Sequence, residues 1–299
     1  MTYSIVARDP NTGEMGVAVQ SHFFSVGSLV TWAKSGVGAV ATQAMVDVRY
    51  GPLGLQLMSS GKGARETLDS LLHGDSNKES RQVAMVDAKG EVAVHTGARC
   101  IPFAGHASGN GFSCQGNIMK SPEVWGAMAK SFQRSAGQPL PERLVAALAA
   151  GEVAGGDARG KQSAAILVVG KDTKPADWEG KLVELRIEDH PDPVPELARL
   201  LRFQRGYDWA NKGDDLFTNK KYDEALKAYE KSMEIVPEVL ELKYWVGVSM
   251  LQTKEKERGI RMLREVFAKD RNYVSITRGI MRTQTPPISP EVARKLFSR

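Results

Sequence analysis

The residue of this chain with the most direct chemical potential is Thr2. A threonine that starts a mature chain carries both a hydroxyl and a free α-amine. That amine titrates near neutrality, with a pKa of about 7.7–8.0, so it can take the proton from the hydroxyl of its own residue. We therefore expect residue 1 to be removed, as a small second residue normally permits, and we identify Thr2 as the candidate nucleophile.

Three further residues complete the predicted catalytic set. A nucleophile of this kind needs an oriented base and a group that stabilises an oxyanion. Ser4 shares a strand face with Thr2 and would orient the amine or hold the oxyanion. Thr42 lies on a candidate paired strand, where same-face side chains come within about 5 Å. Lys34, near a strand end, would lower the pKa of the hydroxyl through its positive charge.

Polar side chains at predicted strand ends and in a glycine-rich loop are candidates for binding a substrate. Amide, hydroxyl and guanidinium groups in such places can hydrogen-bond a carbonyl or a carboxylate. The loop over residues 155–163 matches no phosphate-binding pattern. The predicted substrate-binding residues are Ser21, Gln43, Arg81, Gln115, Asn117, Asp157 and Arg159.

Patterns for other chemistries are missing from the sequence. Four residues, His95, Cys100, His106 and Cys114, lie close together but lack the paired spacing of zinc sites, so we predict no metal. Two cysteines are too few for a disulfide framework in a chain of 299 residues, and we expect buried thiols. Neither a phosphate-loop nor a dinucleotide fingerprint is present, so we predict no cofactor. The segment 111–116 misses the spacing of a serine nucleophile elbow by one residue.

Composition and charge place the chain among globular proteins. Hydrophobic residues make up 42% and charged residues 25%. No apolar stretch is long enough for a membrane span, and no basic signal-like segment opens the chain, so we expect a cytoplasmic protein. Residues 252–299 hold 12 Lys/Arg against 5 Asp/Glu. Because aromatic residues are not interleaved with these basic ones, we favour a solvated helical surface over nucleic-acid binding.

Periodicity divides the chain into two domains, residues 1–190 and 191–299. The first alternates strands, two helices, strands, two helices and strands, beginning with a hairpin whose turn lies at residues 10–13. Two antiparallel sheets, each covered by two helices, would bury every apolar face, so we predict an α+β fold with a four-layer αββα sandwich. A helix is expected over residues 141–150, ended by Gly151. Three prolines in residues 188–195 indicate a linker.

The second domain is predicted to be wholly helical and to contain a repeat. Five residues fall at the offsets of a tetratricopeptide unit, which has about 34 residues. They are Trp209, Gly213, Ala225, Tyr229 and Pro237. Gly247 and Leu263 follow Gly213 and Tyr229 by one repeat, in a weaker second copy. Two copies cannot form a long solenoid, so we expect self-association into a homo-oligomer, and residues 196–299 could also bind a protein partner.

The first domain resembles a known bacterial family. Six segments carry the resemblance in order: Thr-Tyr-Ser-Ile-Val-Ala-Arg-Asp-Pro (2–10), Gly-Val-Gly-Ala-Val-Ala-Thr-Gln-Ala (36–44), Tyr-Gly-Pro-Leu-Gly (50–54), Arg-Gln-Val-Ala-Met-Val-Asp (81–87), Gln-Gly-Asn (115–117) and Gly-Gly-Asp-Ala-Arg-Gly-Lys-Gln-Ser-Ala (155–164). They are similar to the family called domain of unknown function 1028. The resemblance implies an N-terminal-nucleophile hydrolase fold and strengthens Thr2 as the nucleophile.

Two functions remain open from the sequence. The first is an amidohydrolase in which Thr2 attacks an amide or peptide-like C–N bond of a small-molecule substrate. The second is a catalytically silent sandwich that acts as an assembly or scaffold protein, with the tetratricopeptide-like helices recruiting a partner. Processing of residue 1 and the surroundings of Thr2 distinguish the two.

Overall fold

The chain folds as antiparallel sheets with packed helices, followed by a helical region. The computed structural model describes residues 2–176, 178–283 and 289–297. It confirms the predicted α+β class and the helical character of the C-terminal part. Contacts divide the chain into two units, residues 1–201 and 202–299. No helix of the described residues is both long and apolar enough to cross a membrane.

Ten described strands form two antiparallel sheets. They are β1 (Thr2–Arg8), β2 (Met15–Ser21), β3 (Thr31–Lys34), β4 (Gly38–Ala44), β5 (Arg81–Asp87), β6 (Val92–Thr96), β7 (Gly105–Gly109), β8 (Phe112–Asn117), β9 (Ser163–Val169) and β10 (Lys181–Ile187). The first sheet has the order β10-β9-β2-β1-β8-β7, and the second has the order β3-β4-β5-β6. β1 is therefore a central strand of the first sheet.

Helices follow the strands in pairs and then make up the second unit. They are α1 (Gly27–Val30), α2 (Tyr50–Ser59), α3 (Ala64–His73), α4 (Val124–Arg134), α5 (Leu140–Val153), α6 (Pro193–Thr218), α7 (Tyr222–Ile235), α8 (Leu240–Met250), α9 (Lys256–Lys269), α10 (Asn272–Thr283) and α11 (Pro290–Phe297), with a 3₁₀ turn at Lys78–Ser80.

Alternation along the strands explains how the first unit packs. Successive side chains of a strand point to opposite faces. Ile5 of β1 accordingly packs with α4 and α5, whereas Val6 packs with Ala84 of the second sheet. Val83, on the opposite face of β5, packs with α2 and α3. One apolar cluster thus lies between the sheets, and one lies on the outer face of each.

Three local features differ from the sequence expectation. α5 continues through Gly151 to Val153. Packing explains the glycine, since a Cβ at Gly151 would lie 2.9 Å from Met128 Cγ. The sequence indicates a strand over residues 29–33, whereas Leu29 belongs to the short helix α1 and β3 starts only at Thr31. The edge strand β7 was not predicted, because its sequence Gly-His-Ala-Ser-Gly carries little strand signal.

The boundary between the units falls within α6 rather than in the proline-rich segment. α6 begins at Pro193, inside the predicted linker over residues 188–195. Its first apolar residues, Val194, Leu197 and Leu201, join the cluster of α4, α5 and the first sheet. These contacts extend the first unit beyond residue 190, after which the sequence predicts the boundary.

In the second unit, one glycine-to-helix contact recurs. A Cβ at Gly213 would lie 2.4 Å from the Tyr229 ring, and one at Gly247 would lie 2.9 Å from Leu263. The two pairs have the same separation along the chain. The helices of each pair therefore approach closely at equivalent positions.

Candidate functional site

Thr2 lies at the first position of the central strand β1. Its register partner on β8 is Asn117, and Tyr3 pairs with Gln20 of β2. Since Thr2, Ser4 and Val6 share a face, the side chain of Thr2 points into the space between the sheets. The side chain is buried, at 5% exposure, and its Oγ1 lies 3.1 Å from Ser21 Oγ. The hydroxyl thus has a polar rather than an apolar neighbour.

Two amide side chains hold the backbone of Thr2. Gln43 Nε2 donates to the Thr2 carbonyl oxygen at 3.1 Å, and Asn117 Nδ2 donates to the same atom at 3.3 Å. Both nitrogens also donate to Gln82 Oε1, at 2.7 and 3.0 Å. The two hydrogens of each amide are therefore committed within the protein. This geometry fixes the start of β1. The N–H groups of both amides bond to protein atoms rather than to a substrate.

Ser4 and Gln115 form the next layer of the same network. Ser4 Oγ donates to Gln43 Oε1 at 2.6 Å and accepts from Gln115 Nε2 at 2.6 Å. Ser113 Oγ in turn donates to Gln115 Oε1 at 2.9 Å. These side chains are fully buried, where an unpaired polar group would be costly. Ser4 is thus placed two residues from Thr2, with its hydrogen bonds directed along the network.

The glycine-rich loop brings a charge pair to Ser21. Asp157 Oδ2 accepts from the His22 backbone N–H at 3.0 Å, and Arg159 Nη2 donates to Asp157 Oδ2 at 3.0 Å. The same Nη2 lies 3.5 Å from Ser21 Oγ. Gly160 has a φ of +113°, a conformation that side-chain-bearing residues rarely adopt. The loop therefore places the Arg159 guanidinium next to Ser21, whose hydroxyl lies between it and Thr2.

Three of the predicted residues lie elsewhere. Lys34 pairs with Gly38, at the opposite end of β4 from Gln43, and borders a separate cleft of about 530 Å³. Thr42 points away from the space between the sheets, because it neighbours Gln43, and it donates to the Asp47 carbonyl at 3.0 Å. The strand directions thus keep both residues apart from Thr2, contrary to the predicted catalytic set.

Arg81, the third, serves the loop before β5. Its Nε donates to Asp75 Oδ2 at 2.8 Å, and its Nη1 donates to the Met45 carbonyl at 2.6 Å. The hydrogen bond from Arg81 lowers the pKa of Asp75 to about 2. Arg81 thereby fixes the loop around Met45 rather than facing Thr2.

Gln82 is a site residue that the predicted set of substrate-binding residues left out in favour of its neighbour Arg81. It is fully buried, and its Nε2 donates to Thr96 Oγ1 and to the carbonyls of Gly105 and Gly116 at 3.0, 3.1 and 2.8 Å. The signal was present in strand alternation. Gln82 has the parity of Ala84, an apolar residue that faces the other sheet, whereas Arg81 has the opposite parity.

Neither cysteine offers a reactive thiolate. Cys114 is fully buried among apolar residues of the first sheet, and burial raises the pKa of its thiol far above the usual range. Burial also raises the pKa of Cys100, whose Sγ donates to the Arg81 carbonyl at 3.3 Å. In the part of the chain that the structure describes, no group of His, Cys, Asp and Glu has the arrangement of a metal site.

The backbone is strained where the strands end beside Thr2. Among the described residues other than glycine, only Ser25, Ala44, Ile118 and Lys220 have a positive φ. Ala44, at +70°, follows Gln43, and Ile118, at +54°, follows Asn117. A positive φ is unusual for a β-branched residue and is held only where the surroundings determine it. The two residues that bind the Thr2 carbonyl are thus each followed by a strained position.

Comparison with known proteins supports the sequence resemblance. The chain is similar to a Silicibacter pomeroyi protein whose crystal structure is described as belonging to DUF1028, with 32% identity and a TM-score of 0.60. The similarity covers 67% of this chain and 88% of that one. No curated protein gives a match. The family model described as "Family of unknown function (DUF1028)" matches residues 2–197, which include the whole network around Thr2. The chain therefore belongs to the DUF1028 family.

Proposed function

We propose that the first unit is an N-terminal-nucleophile amidohydrolase that cleaves an amide or peptide-like C–N bond of a small substrate. The observation that carries the proposal is the placement of Thr2: its hydroxyl meets Ser21 at the start of a central strand, and its carbonyl is held by two amides. The proposal requires that residue 1, which lies outside the described residues, be removed to free the amine of Thr2.

The reaction follows from the groups around the hydroxyl. Thr2 Oγ1 attacks the substrate carbonyl carbon while its proton passes to the α-amine of Thr2. The C–N bond then breaks, and the leaving nitrogen takes that proton. Water attacks the resulting ester and releases the acid, restoring the Thr2 hydroxyl. Ser21 Oγ and Arg159 Nη2 are the proposed donors to the oxyanion, with Asp157 orienting the guanidinium.

The layer order and the strained backbone support this proposal. Helices cover the outer face of each sheet, and an apolar cluster joins the sheets, as expected of a four-layer αββα sandwich of the N-terminal-nucleophile type. Strain at Ala44 and Ile118 adds a second line of support, since strained positions cluster at active sites.

N-terminal mass and labelling test the proposal together. We expect intact-mass measurement of the purified protein to show that residue 1 is absent, and β-propiolactone to acylate Thr2, as located by peptide mapping. Thr2→Ser keeps both reacting groups and should retain labelling, whereas Thr2→Ala should abolish it. Complete retention of residue 1, or labelling that persists in Thr2→Ala, would refute the proposal.

The second candidate function, a scaffold with tetratricopeptide-like helices, is favoured by the recurring contacts of Gly213 and Gly247. On this hypothesis the helical unit recruits a protein partner or a second copy of the chain. Exposed Tyr222 and Trp245 are the surface residues to replace. A partner that binds the full chain stoichiometrically, but not the Tyr222→Ala/Trp245→Ala variant, would support it. Sedimentation of the same two proteins tests self-association.

A further inference from the structure

We infer that the substrate of the Thr2 site is an amide with an apolar acyl group, bound by exposed hydrophobic side chains of three neighbouring loops. This inference rests on the proposed function and names its substrate class. The side chains, called here the apolar rim, come from three loops and are exposed. They are Phe23, Phe24, Met45, Val46, Ile101 and Phe103.

The first loop of the apolar rim is joined to Ser21. Phe23 lies two residues beyond Ser21, whose hydroxyl meets that of Thr2. Ser163 Oγ donates a hydrogen bond to the Phe23 carbonyl at 2.5 Å and accepts one from the Val26 N–H at 3.1 Å. The loop is thus fixed to β9 while the ring of Phe24 is 62% exposed.

The second loop is joined to Gln43. Met45 lies two residues beyond Gln43, which holds the Thr2 carbonyl. Its carbonyl accepts from Arg81 Nη1 at 2.6 Å, and its N–H donates to the Ser80 carbonyl at 3.1 Å. The backbone of Met45 is therefore held on both sides, yet its side chain is 68% exposed.

The third loop is joined to Asn117. The Ile101 carbonyl accepts from the N–H of Ile118, the residue after Asn117, at 3.0 Å. The Phe103 carbonyl accepts from the N–H of Met119 at 3.0 Å. All three loops are thus tied within two residues of a side chain that contacts Thr2. The three loops that carry the apolar rim therefore lie at the same end of the sheets as Thr2.

Three arginines near these loops are paired with carboxylates, whereas Arg99 of the third loop is exposed. Arg49 Nη2 lies 2.8 Å from Asp47 Oδ2, and Arg81 Nε lies 2.8 Å from Asp75 Oδ2. Arg159 Nη2 lies 3.0 Å from Asp157 Oδ2. A charged substrate group would have to compete with these pairs. The exposed hydrophobic side chains of the three loops offer a surface for an apolar group, and exposed hydrophobic patches commonly mark binding sites.

The chemistry assigns the apolar rim to the acyl side of the substrate. In the proposed reaction the acyl carbon is bonded to Thr2 Oγ1 in the ester intermediate, whereas the amine leaves first. Side chains around Thr2 therefore contact the acyl group through both steps. Each methylene that they bury contributes about 0.8 kcal/mol, or roughly fourfold in rate when that energy is realised in the transition state.

A chain-length series of β-lactones tests this inference on the full protein. β-Propiolactone, its butyl derivative and its octyl derivative acylate a hydroxyl by ring opening, in which the carbonyl–oxygen bond of the lactone breaks and the released alkoxide takes the hydroxyl proton. We expect the second-order rate of Thr2 acylation, measured by intact mass and normalised to reaction with free threonine methyl ester, to rise by about tenfold or more from the first to the last.

Two variants locate the effect. Phe24→Ser/Met45→Ser should flatten the chain-length dependence, so that the octyl derivative reacts no faster than β-propiolactone after normalisation. Leu182→Ser is the matched control, because Leu182 is an exposed hydrophobic at the opposite end of the first sheet, and it should keep the full dependence.

The outcomes separate this inference from the function on which it rests. Failure of every lactone to modify Thr2 overturns both. Acylation of Thr2 at the same normalised rate by all three lactones overturns only the inference of an apolar acyl group and leaves the proposed function in place. Survival of the chain-length dependence in the Phe24→Ser/Met45→Ser variant also overturns the inference. A change in the sedimentation of that variant would then identify the apolar rim as a protein interface.

Discussion

At the scale of single residues, Ser21 is the group whose role can be separated from folding. It is the side chain placed between the Thr2 hydroxyl and the Arg159 guanidinium, at 3.1 and 3.5 Å. We predict that Ser21→Ala slows acylation of Thr2 by about tenfold to a hundredfold, because a donor to the developing oxyanion is lost.

The control for this prediction is Ser113→Ala. Ser113 is an equally buried serine in the same network, but it bonds Gln115 rather than Thr2. Its loss should lower stability without slowing acylation of the folded protein. The pH dependence of the rate distinguishes the roles further, since Ser113→Ala should keep the profile of the parent protein. Equal rates for Ser21→Ala and the parent would exclude Ser21 as an oxyanion donor.

At the scale of elements, a buried ion pair joins the first hairpin to α5. Arg143 Nη1 lies 2.9 Å from Asp9 Oδ2, and the guanidinium carbon of Arg143 lies 4.0 Å from the centroid of the Phe132 ring. Asp9 Oδ1 also accepts from the N–H groups of Asn11 and Thr12, which closes the turn. One carboxylate therefore fixes the hairpin turn and compensates a buried cation.

We predict that Asp9→Asn lowers the free energy of unfolding by about 3 kcal/mol or more, measured by urea titration. The amide can still accept the turn hydrogen bonds, but the Arg143 charge is left buried without its partner. Glu184→Gln is the control, because the Lys181–Glu184 pair has side chains 35% and 45% exposed. Its effect should stay within about 0.5 kcal/mol. Equal effects of the two substitutions would contradict the role of burial.

The loop between α3 and β5 makes the stability of the protein depend on pH. Pairing with Arg81 lowers the pKa of Asp75 to about 2, below that of an unfolded chain. The resulting stabilisation is present above pH 4 or so and is lost as the pH falls from about 4 to about 2. After allowance for solvent screening, we expect about 1 kcal/mol. Asp75→Asn should remove this part of the acid destabilisation, whereas Asp69→Asn, at an exposed position of α3, should not. Identical acid profiles of both variants would refute the assignment.

Element order could be predicted from the sequence because periodicity and turn residues are local signals. Residues 10–13 specify the first hairpin, and Gly13 indeed has a φ of +74°. Gly151 gave the wrong helix end, since the reason for glycine there is contact with Met128, a residue distant in sequence. The end of this helix could therefore not be predicted from local signals, because the glycine serves a contact between residues distant in sequence.

The site was predicted in part for the same reason. Ser21, Gln43 and Asn117 are at strand ends that the sequence identifies, and the structure brings them to Thr2. Lys34 was misplaced because the direction of β4 relative to β1 depends on how the two sheets stack. No local pattern reports that stacking.

At the scale of the whole molecule, each unit has its own hydrophobic clusters. Leu144 belongs to the cluster of the first unit that contains Ile5, and Leu263 belongs to a cluster made by helices of the second unit. Both leucines are fully buried. The division of the chain between residues 201 and 202 leaves these two clusters on different sides. The stability of the second unit should therefore be adjustable without altering the chemistry of Thr2.

We predict two calorimetric transitions, of which Leu263→Ala lowers one and Leu144→Ala lowers the other. Each substitution removes a fully buried side chain and should cost about 2–5 kcal/mol in its own unit. In Leu263→Ala, acylation of Thr2 at 25 °C should proceed at the parent rate, because the network around Thr2 lies entirely within residues 2–159. A single transition that both variants shift equally would show that the units unfold together. A slower acylation in folded Leu263→Ala would show that the helical unit contributes to the site.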